Sequence, residues 1–356
     1  MTVQSPLYER MKAIGAQMAE YFGVDTAASF GDPESGDSDA EYLALKNGAG
    51  VYDLSWQGKI VFKGEDRVRW LNGMTTNNVR DLAPRHGNYN FVLNAQGRIQ
   101  GDLYVYNCGD YLLGHTERWQ LAKLIPLLEH FIIMDDVELK DASDQLASIG
   151  VHGPRATELL KQIGIAPDCT EPMVVCDLVW NEIHLSVTRM ANATAITYEL
   201  WLAKEEVTRL WDALLEVGAK PVGTIALEKF RITMGVPKYG TDIRDRDLPQ
   251  ETAQEQALNF TKGCYLGQEI VERIRSRGAV HRTFTGFVLD KEAPRGTKLA
   301  AEKDIGEITS VARVPAASGE KIVALGYIRR EATTAGTQLR AGEAIATVSK
   351  LPFRNL

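Results

Sequence analysis

The chain has 356 residues, 44% hydrophobic and 24% charged, with 31 glycines and 13 prolines; this excludes collagenous and disordered classes and leaves room for two or three globular domains. A formal charge of −7 provides no global field to recruit nucleic acid. The 4 cysteines, Cys108, Cys169, Cys176 and Cys264, form no CxxC pair, which excludes a zinc ribbon and a thioredoxin-type site, and no apolar run approaches the ~20 residues a membrane span needs. The expectation is a reduced, cytoplasmic protein with no membrane contact and no direct nucleic-acid partner.

Ser5-Pro6 predicts a helix start, and Leu7, Met11, Ile14 and Met18 then recur as one apolar stripe ending near Gly23. The acidic stretch 31–41 reads as an exposed loop. Strand character follows at Lys59–Lys63, and Tyr89–Gly114 reads as a meander with turns at Ala95-Gln96-Gly97 and Cys108-Gly109-Asp110. A helical stretch from Glu117 is expected to be interrupted at Pro126, with strand character again at Val137–Lys140. Ala147–Val151 into Gly153-Pro154 predicts strand, turn and helix start, and 203–217 and 223–234 read as two further helices. From Arg282 the texture becomes short β-rich runs, clearest at Phe284–Leu289, Ile308–Val314, Ile322–Ile328 and Ala344–Val348, which predicts a small terminal barrel.

Common catalytic signatures are absent: there is no GxxxxGK[ST], no GxGxxG after a strand, no HExxH and no GxSxG. The run Asp242-Ile243-Arg244-Asp245-Arg246-Asp247 has its carboxylates out of register for a calcium loop and is expected to be a solvated turn. The 6 histidines are scattered and make no ligand pair.

The most unusual segment is Thr261-Lys262-Gly263-Cys264-Tyr265-Leu266-Gly267-Gln268-Glu269-Ile270. A helix is predicted to begin near Gly267, and its N-terminus together with Lys262 favours a thiolate at Cys264. Two readings stay open: a reactive cysteine, or a small hydrophobe packed in a tight turn. Downstream, Lys262, Arg273, Arg275, Arg277, His281 and Arg282 face only Glu269 and Glu272. This strip either holds an anionic ligand or is a helix face of ordinary ion pairs. In Gly101-Asp102-Leu103-Tyr104-Val105-Tyr106, alternation places Asp102, Tyr104 and Tyr106 on one face. A carboxylate beside aromatic rings suits the amine nitrogens of a flat heterocycle, although an aspartate at a strand entrance is also commonplace.

The run Lys262-Gly263-Cys264-Tyr265-Leu266-Gly267-Gln268-Glu269 resembles the signature of YgfZ-type folate-binding proteins, relatives of the aminomethyltransferase (T-protein) of the glycine cleavage system. The resemblance extends through Ser5-Pro6-Leu7-Tyr8, Tyr52-Asp53-Leu54-Ser55, Gly58-Lys59-Ile60, Thr76-Asn77, Leu93-Asn94, Thr188-Arg189, Gly235-Val236-Pro237 to Tyr239-Gly240, and Leu351-Pro352-Phe353. It implies an α+β fold: a three-module, GcvT-like ring with a central folate hole and a C-terminal β-barrel. Residues 1–280 would form the folate-binding core, with 51–146 a candidate insertion between 1–50 and 147–280, and 281–356 the barrel. The implied cofactor is tetrahydrofolate or a derivative. Asp102 and Cys264 take the implied catalytic roles, and Asp102, Tyr104, Arg189, Arg231, Tyr239 and Lys262 the implied cofactor-binding ones.

Two departures from the T-protein pattern matter. Ala195 stands where the T-protein has a folate-gripping glutamate, and Gly101-Asp102 replaces its Asp-Asp pair. The implied role is therefore support of iron–sulfur cluster assembly or repair and of tRNA modification, with iron–sulfur assembly proteins or enzymes as candidate partners. The rival role is a true tetrahydrofolate-dependent aminomethyltransferase.

Overall fold

In the computed structural model the described residues are 2–31, 37–167, 169, 171–190, 196–278, 280–317 and 319–353, without the side chains of Asp37 and Arg277. Contacts divide the chain into two units: Met1–Asn72, Asn78–Tyr89 and Leu103–Leu227 form the first, and Gly73–Asn77, Asn90–Asp102 and Glu228–Leu356 the second. This division differs from the sequence boundary at 280, because the segment Glu228 to His281 groups with the barrel.

The chain opens with β1 (Val3–Gln4), α1 (Tyr8–Ala13), β2 (Ala16–Tyr21), β3 (Val24–Phe30) and α2 (Asp37–Asn47). Then come β4 (Gly50–Asp53), β5 (Gln57–Lys63), α3 (Arg67–Met74), β6 (Gly87–Leu93), β7 (Ile99–Asn107), β8 (Leu112–Glu117), α4 (Leu121–Glu129) and β9 (Glu138–Asp141). The middle of the chain supplies β10 (Leu146–His152), α5 (Ala156–Gln162), β11 (Val175–Trp180), β12 (Ile183–Arg189), β13 (Thr197–Ala203), α6 (Val207–Glu216), β14 (Lys220–Pro221) and α7 (Thr224–Met234).

Three sheets result: β1-β3-β2, β11-β12-β13-β10-β4-β14 and β6-β7-β8-β5-β9. The first unit's main core lies under the six-stranded sheet, where Val51, Ile149, Val187 and Leu200 meet Leu159, Leu160, Leu210 and Trp211 of α5 and α6. Gly150 carries the ring of Tyr52 flat against its strand; a Cβ there would lie 2.1 Å from that ring.

The second unit contains α8 (Gln268–Arg277) and six strands: β15 (Arg282–Leu289), β16 (Lys298–Ala300), β17 (Asp304–Ala316), β18 (Gly319–Arg329), β19 (Gln338–Ala341) and β20 (Ala344–Ser349). These close a barrel in the order β15-β18-β17-β16-β19-β20, filled by Phe287, Leu299, Ile308, Ile328, Leu339 and Val348. The expected terminal barrel is present, as are the expected strands and the helices at 203–217 and 223–234.

Three local expectations are corrected. The N-terminal helix stops at Ala13, and Met18 sits on β2, because Gly15 turns the chain at φ +91°. Of the acidic stretch 31–41, residues 32–36 lie outside the described residues, and the rest opens α2, with Asp39 in its first turn, where a carboxylate complements the positive end of a helix. Pro126 lies inside α4 and does not end it: it removes one ladder bond, while Leu121, Leu124 and Leu128 anchor the helix by burial.

Candidate functional site

The first four residues of β7 belong to the second unit, and on them Ile99 and Gly101 are buried while Gln100 and Asp102 are half-buried on the other face. Tyr239 comes to that face. Its turn is closed by Gly240 N donating to the Ile243 carbonyl (2.7 Å) and Asp242 N donating to that of Lys238 (2.7 Å). The Tyr239 hydroxyl donates to the Gln100 carbonyl at 2.6 Å and meets the Asp245 carboxylate. Burial pushes the phenol far above its ordinary range, and the hydrogen bond and charge of Asp245 and the charges of Asp102 and Asp247 add to this. Asp102 thus lies within electrostatic reach of a neutral, fixed phenol.

The Asp242–Asp247 run is no solvated turn. Asp242 and Asp247 are both buried completely, because each anchors an arginine. Asp242 accepts from Arg231 (2.7 Å), Lys238 N (3.0 Å), Thr309 (2.5 Å) and Ser310 (2.7 Å). Asp247 accepts from Arg282 (2.6 Å) and from Arg244 N (2.7 Å). Arg231 also bonds Glu228, the Val236 carbonyl and Ser310, so all five donors of its guanidinium point at protein acceptors. It frames the turn that carries Tyr239.

Lys262 is buried, its ammonium donating to the carbonyls of Thr75 and Asn77, both at 2.6 Å, and lying 5.0 Å from the centre of the Tyr265 ring. Its charge therefore braces the 75–77 segment, whose Thr76 hydroxyl bonds the Ala257 carbonyl at 2.6 Å. Cys264 is exposed. After it, Gly267 (φ +83°) caps α8, and a Cβ on that glycine would stand 2.5 Å from the Asn94 carbonyl oxygen. Gly263, by contrast, has open space where a Cβ would go.

The basic strip is not one surface. Arg282 turns inward to Asp247 and Glu251 and lies 4.8 Å from the Tyr327 ring centre, while Arg275 pairs with Glu272 at 3.6 Å and covers Phe260. The side chain of Arg277 lies outside the described residues.

Asp102, Arg231, Tyr239, Lys262 and Cys264 are thus all in the second unit, and Tyr104 and Arg189 in the first. Tyr104 packs against Tyr89, ring centres 4.8 Å apart and planes tilted by 37°, and Arg189 ends β12, its carbonyl accepting from Met173 N at 2.7 Å. Tyr106, expected on one strand face with Asp102 and Tyr104, is completely buried among Leu113, Met173, Val175 and Trp201. Ala195 lies outside the described residues.

Sequence reasoning missed a polar centre in the first unit. Lys59 is 1% exposed and donates to the Leu146 carbonyl at 3.2 Å; burial lowers its ammonium to about 8, against the charge of Glu199. Burial works to raise the Glu199 carboxyl, but bonds from His115, Gln57 and Trp201 hold it below its ordinary value. His115 itself is lowered by burial. A glutamate inside the otherwise apolar run Tyr198–Leu202 was the available signal.

With this geometry in place, the comparisons are direct. The sequence profile described as the GCVT N-terminal domain matches residues 7–262. The chain belongs to the GCVT family. It is 30% identical to an aminomethyltransferase of Bacteroides fragilis over 98% of this chain and 99% of the relative, and 27% identical to one of Thermus thermophilus over 98% of each. The crystal structure of glycine cleavage system aminomethyltransferase T from Bartonella henselae superposes with a TM-score of 0.86 at 20% identity, over 99% of this chain and 98% of that one. The fold of this GCVT-family chain is therefore the aminomethyltransferase fold, mixed α+β with a closed barrel. Among the described residues no group of His, Cys, Asp and Glu is arranged to hold a metal, and no helix is long and apolar enough to cross a membrane.

Proposed function

We propose that this protein binds tetrahydrofolate at Asp102 and acts, as a cytoplasmic folate protein of the YgfZ type, in iron–sulfur cluster assembly or repair and in tRNA modification through iron–sulfur enzymes. The observation that carries the reading is a half-buried carboxylate, Asp102, within electrostatic reach of the fixed neutral phenol of Tyr239. An acceptor-only carboxylate suits the amine donors of a reduced pterin, and a phenol pinned by Gln100 and Asp245 keeps the adjoining wall in place. Arg231 and Lys262 act by framing the segments that carry Tyr239 and residues 75–77. The YgfZ assignment draws on Cys264, exposed beside a glycine that the fold itself does not require at 263. An open backbone beside an exposed thiol suits contact with a cluster, a persulfide or an iron–sulfur partner.

The second reading is tetrahydrofolate-dependent aminomethyl transfer, favoured by the naming of relatives that align along the whole chain. Titration of tetrahydrofolate into wild-type protein and Asp102→Ala, followed by turnover with a lipoyl-carrier substrate, separates the cases. Binding that Asp102→Ala loses, without turnover, is the expected result. Turnover restores the transferase, and absent binding by a folded sample removes the folate reading altogether.

A further inference from the structure

The first unit contains a cavity of about 370 Å³ whose lining has nothing in common with the Asp102 face. Strand register builds one wall: Asp177 of β11 stands opposite Ser186 of β12, which stands opposite Trp201 of β13, in a single row on one face of the sheet. Leu113 and Val175 complete an apolar floor around the buried Trp201. The facing wall is the turn from β7 to β8, closed by Cys108 N donating to the Tyr111 carbonyl at 3.0 Å. Burial raises the Cys108 thiol, and burial foremost raises the Tyr111 phenol to about 12, so both walls of that turn stay neutral.

At the mouth Arg85 pairs with Asp177, the two side chains 47% and 43% exposed. Asp177 is fixed from its other oxygen by the Ser186 hydroxyl at 2.6 Å. Arg85 sits at φ +67°, a left-handed backbone uncommon outside glycine. Two backbone hydrogen bonds hold it there: Arg85 N donates to the Asn107 carbonyl at 2.7 Å, and its own carbonyl accepts from Val175 N at 2.8 Å.

A permanent cation and anion side by side over an apolar floor complement a ligand that carries both charges on neighbouring atoms and an apolar tail. We infer that this cavity binds a free apolar α-amino acid, its carboxylate on Arg85, its ammonium on Asp177, and its side chain against Trp201, Leu113 and Val175. Such a ligand replaces one exposed ion pair by two, while its tail leaves water. A cavity of this size is within the range of small-molecule sites.

The test uses the full chain and a thermal-shift or calorimetric titration with L-leucine, L-methionine and L-phenylalanine, beside L-leucinamide and N-acetyl-L-leucine. The free amino acids should bind, and each blocked analogue should bind at least ten-fold more weakly, because each lacks one charge. Arg85→Gln and Asp177→Asn should lose that selectivity. Ala203→Trp, at an exposed rim position, should block the cavity without touching the pair. Tetrahydrofolate binding should be unchanged in all three variants. No binding of any free amino acid to the cooperatively folded wild type overturns the inference, as does equal binding of the blocked analogues. Because the analogue series is run on the wild type, the result does not depend on how the variants fold.

Discussion

At the scale of single residues, the four cysteines differ in surroundings: Cys264 is exposed, Cys108 and Cys176 are half-buried, and Cys169 is buried with its thiol on the Val187 carbonyl. Cys264 should therefore alkylate fastest in a mass-spectrometric time course, and Cys264→Ser should leave the melting temperature unchanged within error, since no packing is lost. Equal labelling of all four in the native protein would contradict the exposed position. Lys59 makes a pH-dependent prediction. Its ordinary value of 10.5 in the unfolded chain exceeds the folded value of about 8, so between those pH values the unfolded state holds more protons and stability rises with pH. The gain amounts to roughly 3 kcal/mol across the window. Urea midpoints measured from pH 7.5 to 10.5 should show this rising component in the wild type and not in Lys59→Met. Identical profiles would mean that the lysine keeps its ordinary titration in the folded protein.

At the scale of elements, the two glycines flanking the Cys264 turn are separable. Gly267→Ala forces a left-handed alanine, costing about 1–3 kcal/mol, and sets its Cβ against the Asn94 oxygen besides. Gly263→Ala meets nothing and should stay within about 0.5 kcal/mol of wild type. Denaturant titration of both variants checks the pair, and a large loss at 263 would show that this glycine serves the fold after all.

Elements were legible where one period dominated. The barrel strands, the meander and α6 announced themselves by alternation or by an apolar helical face. The N-terminal stripe misled because apolar residues on two elements face one core: Leu7 and Met11 are one helical turn apart, whereas Ala16 and Met18 alternate along a strand against the same core. The Asp242–Asp247 run misled for the opposite reason. Composition said solvent, but Arg231, Arg244 and Arg282 lie far off in sequence or on the run itself, and pairing was what made burial of its carboxylates possible. Asp102 was legible as a strand position; the role of Asp245 was not, since its carboxylate reaches Tyr239 through a tight turn of irregular backbone that no periodicity marks.

For the whole molecule, the second unit is assembled from three stretches of sequence, two of them short: Gly73–Asn77 and Asn90–Asp102. The ammonium of Lys262 and the carbonyl of Ala257 depend on the first of these for partners, and Asp247 and Gly267 meet the second through Ile99 N and Asn94. A fragment Glu228–Leu356 should accordingly lack cooperative unfolding when monitored by near-ultraviolet circular dichroism. A sharp transition from that fragment alone would show the two short stretches to be dispensable.

The same interleaving bears on inheritance and on synthesis. A ribosome releases residues 73–77 and 90–102 long before their partners exist, so the second unit can complete only after translation has passed the barrel. Recombination cannot lift it out as a cassette either, since a crossover at 227 would strand two of its pieces in the other gene. The two units are bound to diverge together, as a single heritable piece.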